Sequence, residues 1–251
     1  MQKHHEDSIK IMIEHYRQDP EIKALFLIGS VATGTERPDS DLDGVAVIPE
    51  DYYDRKKNGK GTMEYFAGKC TYEGGYFDIH FKTRKQVEEI LVNGSEPMRN
   101  MFSSAKVLFC DEPGLPEIVA RIPYLPKQEI DEKKKRFYST LKQFHVYFWN
   151  CCKPKDYYRQ YVANGMIFCL YRLVLLENEI LFPSSRKLED TVHGASNKPD
   201  GLFELCHCFM KTLTDEDACA LVSLYENWTT YDYPTDHAIV NNSFADPYEW
   251  Y

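Results

Sequence analysis

The 251-residue chain has no hydrophobic stretch long enough to cross a membrane. Its most apolar run, Met166–Leu176, is interrupted by Arg172, whereas a span needs about 20 apolar residues. The opening residues Met1-Gln2-Lys3-His4-His5-Glu6-Asp7 have charge but no apolar region behind it, so no secretory leader is expected. None of the eight cysteines forms a CxxC pair. Free, mostly buried thiols in a reducing, cytoplasmic setting are the expectation. Cys206-His207-Cys208 has no second pair at ligand spacing, so no zinc site is expected there. Neither half has a basic excess: residues 1–122 are net −5 and residues 123–251 net −4, making −9 in all. That balance speaks against a nucleic-acid backbone as the main partner and is compatible with a small cationic ligand. With Gly 13 and Pro 13 the chain is neither collagen-like nor low-complexity, and no internal repeat is present.

What is present is a core-forming composition, 43% hydrophobic and 14% aromatic, enough for one large domain or two small ones. Ile9, Met12, Ile13 and Tyr16 at spacings of three and four predict a helix over 5–18, ended by Asp19-Pro20. Short apolar runs predict strands at Lys23–Ile28, Leu42–Ile48, Tyr76–Phe81 and Lys106–Phe109, with a charged loop around Asp54–Gly61. Thr83 and Gln86 have capping-box spacing ahead of a helix that stops at Gly94, and Leu115–Arg121 reads as a short helix. Beyond Pro123 and Pro126 the strand signals almost vanish. Helices are predicted over Gln128–Asn150 and Asp156–Asn178, with shorter ones at Ser185–Val192, Leu202–Lys211 and Asp215–Asn227, the last capped by Thr214. The aromatic tail from Tyr231 is expected to pack on the body. The fold class is therefore α+β: a small mixed-sheet domain over 1–122, then an all-α bundle over 123–251.

One constellation carries chemistry. The run Phe26-Leu27-Ile28 leads into Gly29-Ser30. Glycine allows close approach of backbone to a ligand, and a helix starting there would offer free N–H groups and a hydroxyl to a phosphate. Asp41 and Asp43 follow, two apart on a predicted strand, so their side chains share a face while Leu42 points into the core. Adjacent carboxylates stay ionised together when they share a cation, and hard oxygen ligands select Mg²⁺ or Mn²⁺. In Tyr76-Phe77-Asp78-Ile79-His80-Phe81 the odd positions are apolar, and Asp78 is a charge in mid-strand that calls for a partner. Asp78 lies 35 residues beyond Asp43, enough for a hairpin that returns beside the first strand.

Gly29-Ser30, then Asp41-Leu42-Asp43, then Asp78 resembles the polymerase-β-type nucleotidyltransferase signature. The flanking Ala24–Gly34 and Ser40–Val47 strengthen the likeness, which extends over residues 20–110. With a helical domain after the core, the plan is similar to aminoglycoside nucleotidyltransferases and their relatives. The resemblance implies Asp41, Asp43 and Asp78 as catalytic metal ligands for two Mg²⁺ ions, or Mn²⁺, with ATP as donor. It implies Gly29 and Ser30, with Ser40, Arg186 and Lys187, on the nucleotide. It implies transfer of AMP to a hydroxyl of a small, aminoglycoside-like acceptor, hence a setting such as antibiotic resistance. A base from the helical half, Glu177 or Glu179, is an alternative to Asp78.

Other residues carry weaker readings. Arg186 and Lys187 follow a predicted helix start, where cations suit an anionic partner; Arg99 is read similarly. Lys133–Arg136 follows acidic residues and reads as a solvated helix face. The aromatics Phe144, Tyr147, Phe148, Trp149, Tyr157, Tyr158 and Tyr161 read mostly as core, some as acceptor-pocket lining. The Arg186–His193 spacing resembles helical RNase-type domains, which keeps open a protein-modifying or antitoxin-like module acting on a protein partner. The acidic halves argue against an RNA nucleotidyltransferase, and nothing in the sequence fixes an oligomeric state.

Overall fold

Strand β1 (Ala24–Leu27) is buried at all four positions because a packed core covers each face of the sheet, Leu25 and Leu27 on one side and Ala24 and Phe26 on the other. A strand covered on both faces needs an uninterrupted apolar run, which Ala24-Leu25-Phe26-Leu27 supplies. In this computed structural model, which describes residues 1–233, the chain divides into two compact units at Tyr124 and Leu125.

The first unit begins with helix α1 (Lys3–Arg17) and continues through β1, the single turn α2 (Gly29–Thr33) and β2 (Leu42–Val47). Then come α3 (Glu50–Lys57), β3 (Met63–Ala67), β4 (Tyr76–Lys82), α4 (Arg84–Asn93), α5 (Glu96–Asn100), β5 (Lys106–Cys110) and α6 (Leu115–Arg121). The five strands form one mixed sheet in the order β3-β4-β2-β1-β5. β1 runs antiparallel to β2 and β5, β3 antiparallel to β4, and β2 parallel to β4. Side chains alternate across the sheet. Leu25, Leu27, Leu42, Ala46, Phe77, Ile79 and Phe81 pack with Met12 and Tyr16 of α1 on one face. Ala24, Phe26, Val45 and Val47 pack with Val87 and Ile90 of α4 and Leu115 and Val119 of α6 on the other.

The regular elements in the described part of the second unit are all helical: α7 (Lys127–Gln143), a π-helical stretch (Phe144–Cys151), α8 (Asp156–Glu177), a 3-10 turn (Ser185–Lys187), α9 (Leu188–Gly194), α10 (Leu202–Thr212) and α11 (Asp215–Trp228). The Met166–Leu176 run is the buried heart of α8. Arg172 within it is buried, its guanidinium 4.6 and 4.2 Å from the ring centres of Phe137 and Phe182. No described helix is long and apolar enough to cross a membrane.

The capping box is formed as the spacing predicts: the Thr83 hydroxyl accepts the Gln86 N–H at 3.2 Å, and the Gln86 side chain accepts the Thr83 N–H at 3.0 Å. Thr214 caps α11 through the Asp217 N–H. Replacing Thr83 by alanine is expected to lower stability by about 1 kcal/mol, read from urea unfolding, because the first-turn N–H loses its acceptor.

Several expectations are corrected. The stretch read as a loop around Asp54–Gly61 holds the end of α3 and leads into β3, an edge strand whose outward side chains are exposed. The long helix over Gln128–Asn150 changes to π-helical winding at Phe144. Trp149 in the widened stretch is buried, donates Nε1 to Asp215 at 2.9 Å and sits 5.1 Å from the Phe209 ring. Of the seven aromatics read mostly as core, Trp149 is buried, whereas Tyr147, Tyr157, Tyr158 and Tyr161 are exposed. All eight cysteines are free, but Cys169 and Cys206 alone are buried. The Lys133–Arg136 run is not a purely solvated face: Lys133 pairs with Glu129 and Lys134 with Glu177, each at 2.7 Å. In the tail, Tyr233 stacks on Tyr138 and hydrogen-bonds Tyr225; Trp250 lies outside the described residues.

Candidate active site

The sheet places the carboxylates. Asp43 and Asp78 are register partners on the parallel pair β2 and β4, and residues opposite one another project from the same face. Leu42 and Phe77 point into the α1-side core, so Asp43 and Asp78 stand on the opposite face. Asp41 precedes β2 at the end of a turn that holds it in place. There the Ser40 hydroxyl accepts the Arg37 N–H at 2.9 Å, and the Tyr72 hydroxyl donates to the Ser40 carbonyl. One oxygen from each of Asp41, Asp43 and Asp78 lies within 4.8 Å of the others, all three residues being half-buried. Among the described residues this is the one group of three or more potential ligands brought together.

Gly29 closes the site from the side of β1. Its φ is +70°, and a Cβ there would lie 1.9 Å from Asp43 Oδ2. Only a residue without a side chain permits that backbone beside that carboxylate. The helix after it is a single five-residue turn, so a phosphate here would rely on the Gly29–Ser30 backbone and the Ser30 hydroxyl rather than on a long helix dipole. Beyond Asp78, the Tyr76 hydroxyl hydrogen-bonds the Asp41 carboxylate, which holds the phenol in its neutral form and pushes its pKa up to about 12. His80 shares the face with Asp78; burial lowers its imidazole pKa against an upward pull from that carboxylate.

Three hard oxygen donors converging within 4.8 Å, one of them packed against a glycine whose missing side chain leaves it room, fit a divalent metal ion.

Residues 9–99 match the model of the nucleotidyltransferase domain family. The matched segment is similar to a nucleotidyltransferase domain. It spans β1 to β4 and includes all three aspartates. Among solved structures, a nucleotidyltransferase-like protein from Exiguobacterium sibiricum aligns over 89% of this chain and 73% of its own, at 11% identity and a TM-score of 0.50, a likeness of fold. A spectinomycin adenyltransferase from Enterococcus faecialis, solved with ATP and spectinomycin, aligns over 95% and 96% at 10% identity, with a TM-score of 0.36 too low to argue from. No curated protein matches the sequence.

The remaining candidates lie as follows. Ser40 spends its hydroxyl closing the turn before Asp41. Arg186 and Lys187 belong to the helical unit, exposed on the 3-10 turn rather than inside a helix start. Arg99 is corrected: it is buried, and its guanidinium donates to the carbonyls of Gly94, Tyr124 and Val92 at 2.8, 3.1 and 3.1 Å, which makes it a structural clamp. Glu177 accepts from Lys134, Thr229 and Tyr225 at 2.7, 2.9 and 3.2 Å, so its carboxylate is committed inside the helical unit. Glu179 is exposed. His193 is exposed with its ring stacked on Phe203. Tyr65, not among the residues singled out in the sequence, lies against Tyr76 with ring centres 4.3 Å apart and planes tilted by 39°. Its sequence signal is the alternation in Met63-Glu64-Tyr65-Phe66-Ala67, just beyond the expected loop at Asp54–Gly61.

Proposed function

We propose that the chain transfers a nucleoside monophosphate, AMP from ATP foremost, to a hydroxyl group of a small molecule, using Mg²⁺ or Mn²⁺. The observation that carries this reading is the meeting of Asp41, Asp43 and Asp78 within 4.8 Å inside the segment similar to a nucleotidyltransferase domain. Asp41 and Asp43 would hold the ion that accompanies the triphosphate, and all three would hold a second. Bound there, the ions supply neutralisation of phosphate charge and a lowered pKa for the acceptor hydroxyl.

The chain's own groups divide the remaining work. Gly29 and Ser30 bind the β- and γ-phosphates through backbone N–H groups and the Ser30 hydroxyl, at the flank where no side chain obstructs approach. Asp78, on the opposite flank from Gly29, takes the proton from the acceptor hydroxyl. The acceptor oxygen bonds to the α-phosphorus as the bond to the bridging oxygen breaks, and pyrophosphate leaves. Positioning and fixed charge account for most of the acceleration in such a transfer.

The test is a labelled-donor assay. The chain is incubated with each of the four α-labelled nucleoside triphosphates, Mg²⁺ or Mn²⁺, and a panel of hydroxylated small molecules. Label is expected on a panel member with stoichiometric pyrophosphate, most strongly from ATP and abolished by a chelator. Absence of metal-dependent triphosphate binding by the folded protein would sink the reading. Equal use of all four donors would remove ATP preference alone.

A further inference from the structure

Tyr65 is a large side chain left out of both cores. It is 66% exposed on the edge strand β3, its ring centre 4.3 Å from that of Tyr76. The register fixes its direction: Tyr65 lies opposite Asp78 and Met63 opposite His80. Tyr65, Met63 and Tyr76 therefore share the face that carries Asp43 and Asp78. Phe66 points the other way, 4.7 Å from His15 of α1. An edge strand guarded only for solubility would carry charge at such positions. Here Met63 and Tyr65, 57% and 66% exposed, make an apolar stripe beside the acidic triad.

The strand order gives that stripe a place in the reaction, and this step rests on the transfer reading above. From β1 outward, the face presents Gly29–Ser30, then Asp43 on β2, then Asp78 on β4, then Tyr65 on β3. Attacking and leaving oxygens lie in line on opposite sides of the transferred phosphorus. With pyrophosphate departing over Gly29–Ser30, the acceptor approaches over β4 and β3. We propose that Tyr65, backed by Tyr76, is the acceptor's stacking platform, and that the acceptor is a hydroxylated small molecule with a ring whose face is apolar. A saccharide or cyclitol ring and an aromatic ring both offer such a face. The platform aligns that ring so that one of its hydroxyls reaches Asp78.

The test uses the full chain with Mg²⁺ and a nonhydrolysable ATP analogue. Saturation-transfer NMR measures binding of three probe sets: cyclitols and hexoses, phenols, and linear polyols as ringless controls. Wild type is expected to bind one of the two ring sets, and the set that binds identifies the ring. Tyr65→Ala is expected to weaken that probe about tenfold, with affinity for the ATP analogue unchanged, while Tyr65→Phe binds as wild type does. The steady-state counterpart is a raised acceptor KM at an unchanged donor KM. Equal probe binding by Tyr65→Ala and wild type, with the analogue bound normally, would overturn the platform and leave the transfer reading standing. So would a variant that loses the analogue instead of the probe. Linear polyols bound as well as rings, or no probe bound while the analogue is, would overturn the ring class. Failure of wild type to bind the analogue with metal would remove the transfer reading and the platform together. Tyr65 is mostly exposed, so the thermal melt of both variants is expected to match wild type.

Discussion

Asp43→Asn is expected to leave a folded chain whose nucleotidyl transfer falls about a thousandfold and whose metal-dependent triphosphate binding is lost. Asparagine keeps the shape that packs against Gly29 and removes one charge from the centre of the triad. Asp43 is the member in register with Asp78 and against Gly29, so it stands between the two. Without metal, three carboxylates within 4.8 Å repel one another. Loss of one charge therefore leaves the metal-free melting temperature unchanged or raises it. Calorimetric titration with Mn²⁺ and a nonhydrolysable triphosphate, beside a thermal melt in chelator, reads the two effects separately. Full activity in Asp43→Asn would refute the role assigned to this residue. A lowered metal-free melt would refute the electrostatic account of the triad.

Much of this arrangement was legible in the sequence because it is local. Alternation in Tyr76–Phe81 put Phe77, Ile79 and Phe81 in the core and Asp78 outside it. A two-residue spacing put Asp41 and Asp43 together, and the Thr83–Gln86 spacing gave the capping box. The α+β class followed from the disappearance of strand signals after Pro126. What escaped depends on partners with no sequence signal of their own. Arg99 is held by three backbone carbonyls, and a carbonyl looks the same on every residue. β3 is an edge strand, so its outward positions need not be polar or apolar by rule, and no strand is expected there; the charges of α3 make Asp54–Gly61 read as loop. The hairpin imagined between Asp43 and Asp78 is in fact β3 with β4, and β4 returns parallel to β2. That crossover, rather than a hairpin, brings the third carboxylate into register. The exposed tyrosines of the helical unit escaped for a related reason. Helical spacing predicts which residues share a face, but not whether another helix covers it.

Gly29→Ala is expected to abolish transfer as completely as Asp43→Asn does, with the opposite sign in stability. A non-glycine residue in the left-handed region costs about 1–2 kcal/mol before any contact is counted. The added Cβ would then meet Asp43 Oδ2 at 1.9 Å, Cγ at 2.6 Å and Cβ at 2.9 Å. The backbone cannot easily yield. The Ile28 N–H donates to the Asp43 carbonyl at 3.0 Å, and β1 is locked to β2 with Leu27 opposite Gly44. The carboxylate must therefore swing out of the triad, and the metal site goes with it. The variant should melt below wild type and fail to bind triphosphate with metal. A double variant separates the two causes. In Gly29→Ala with Asp43→Ala, the 1.9 and 2.6 Å contacts vanish because the atoms that made them are gone. The stability loss of the pair should be smaller than the sum of the single losses, while transfer stays absent. Additive losses would mean that the backbone conformation alone is at fault and that Gly29 is not kept small by Asp43.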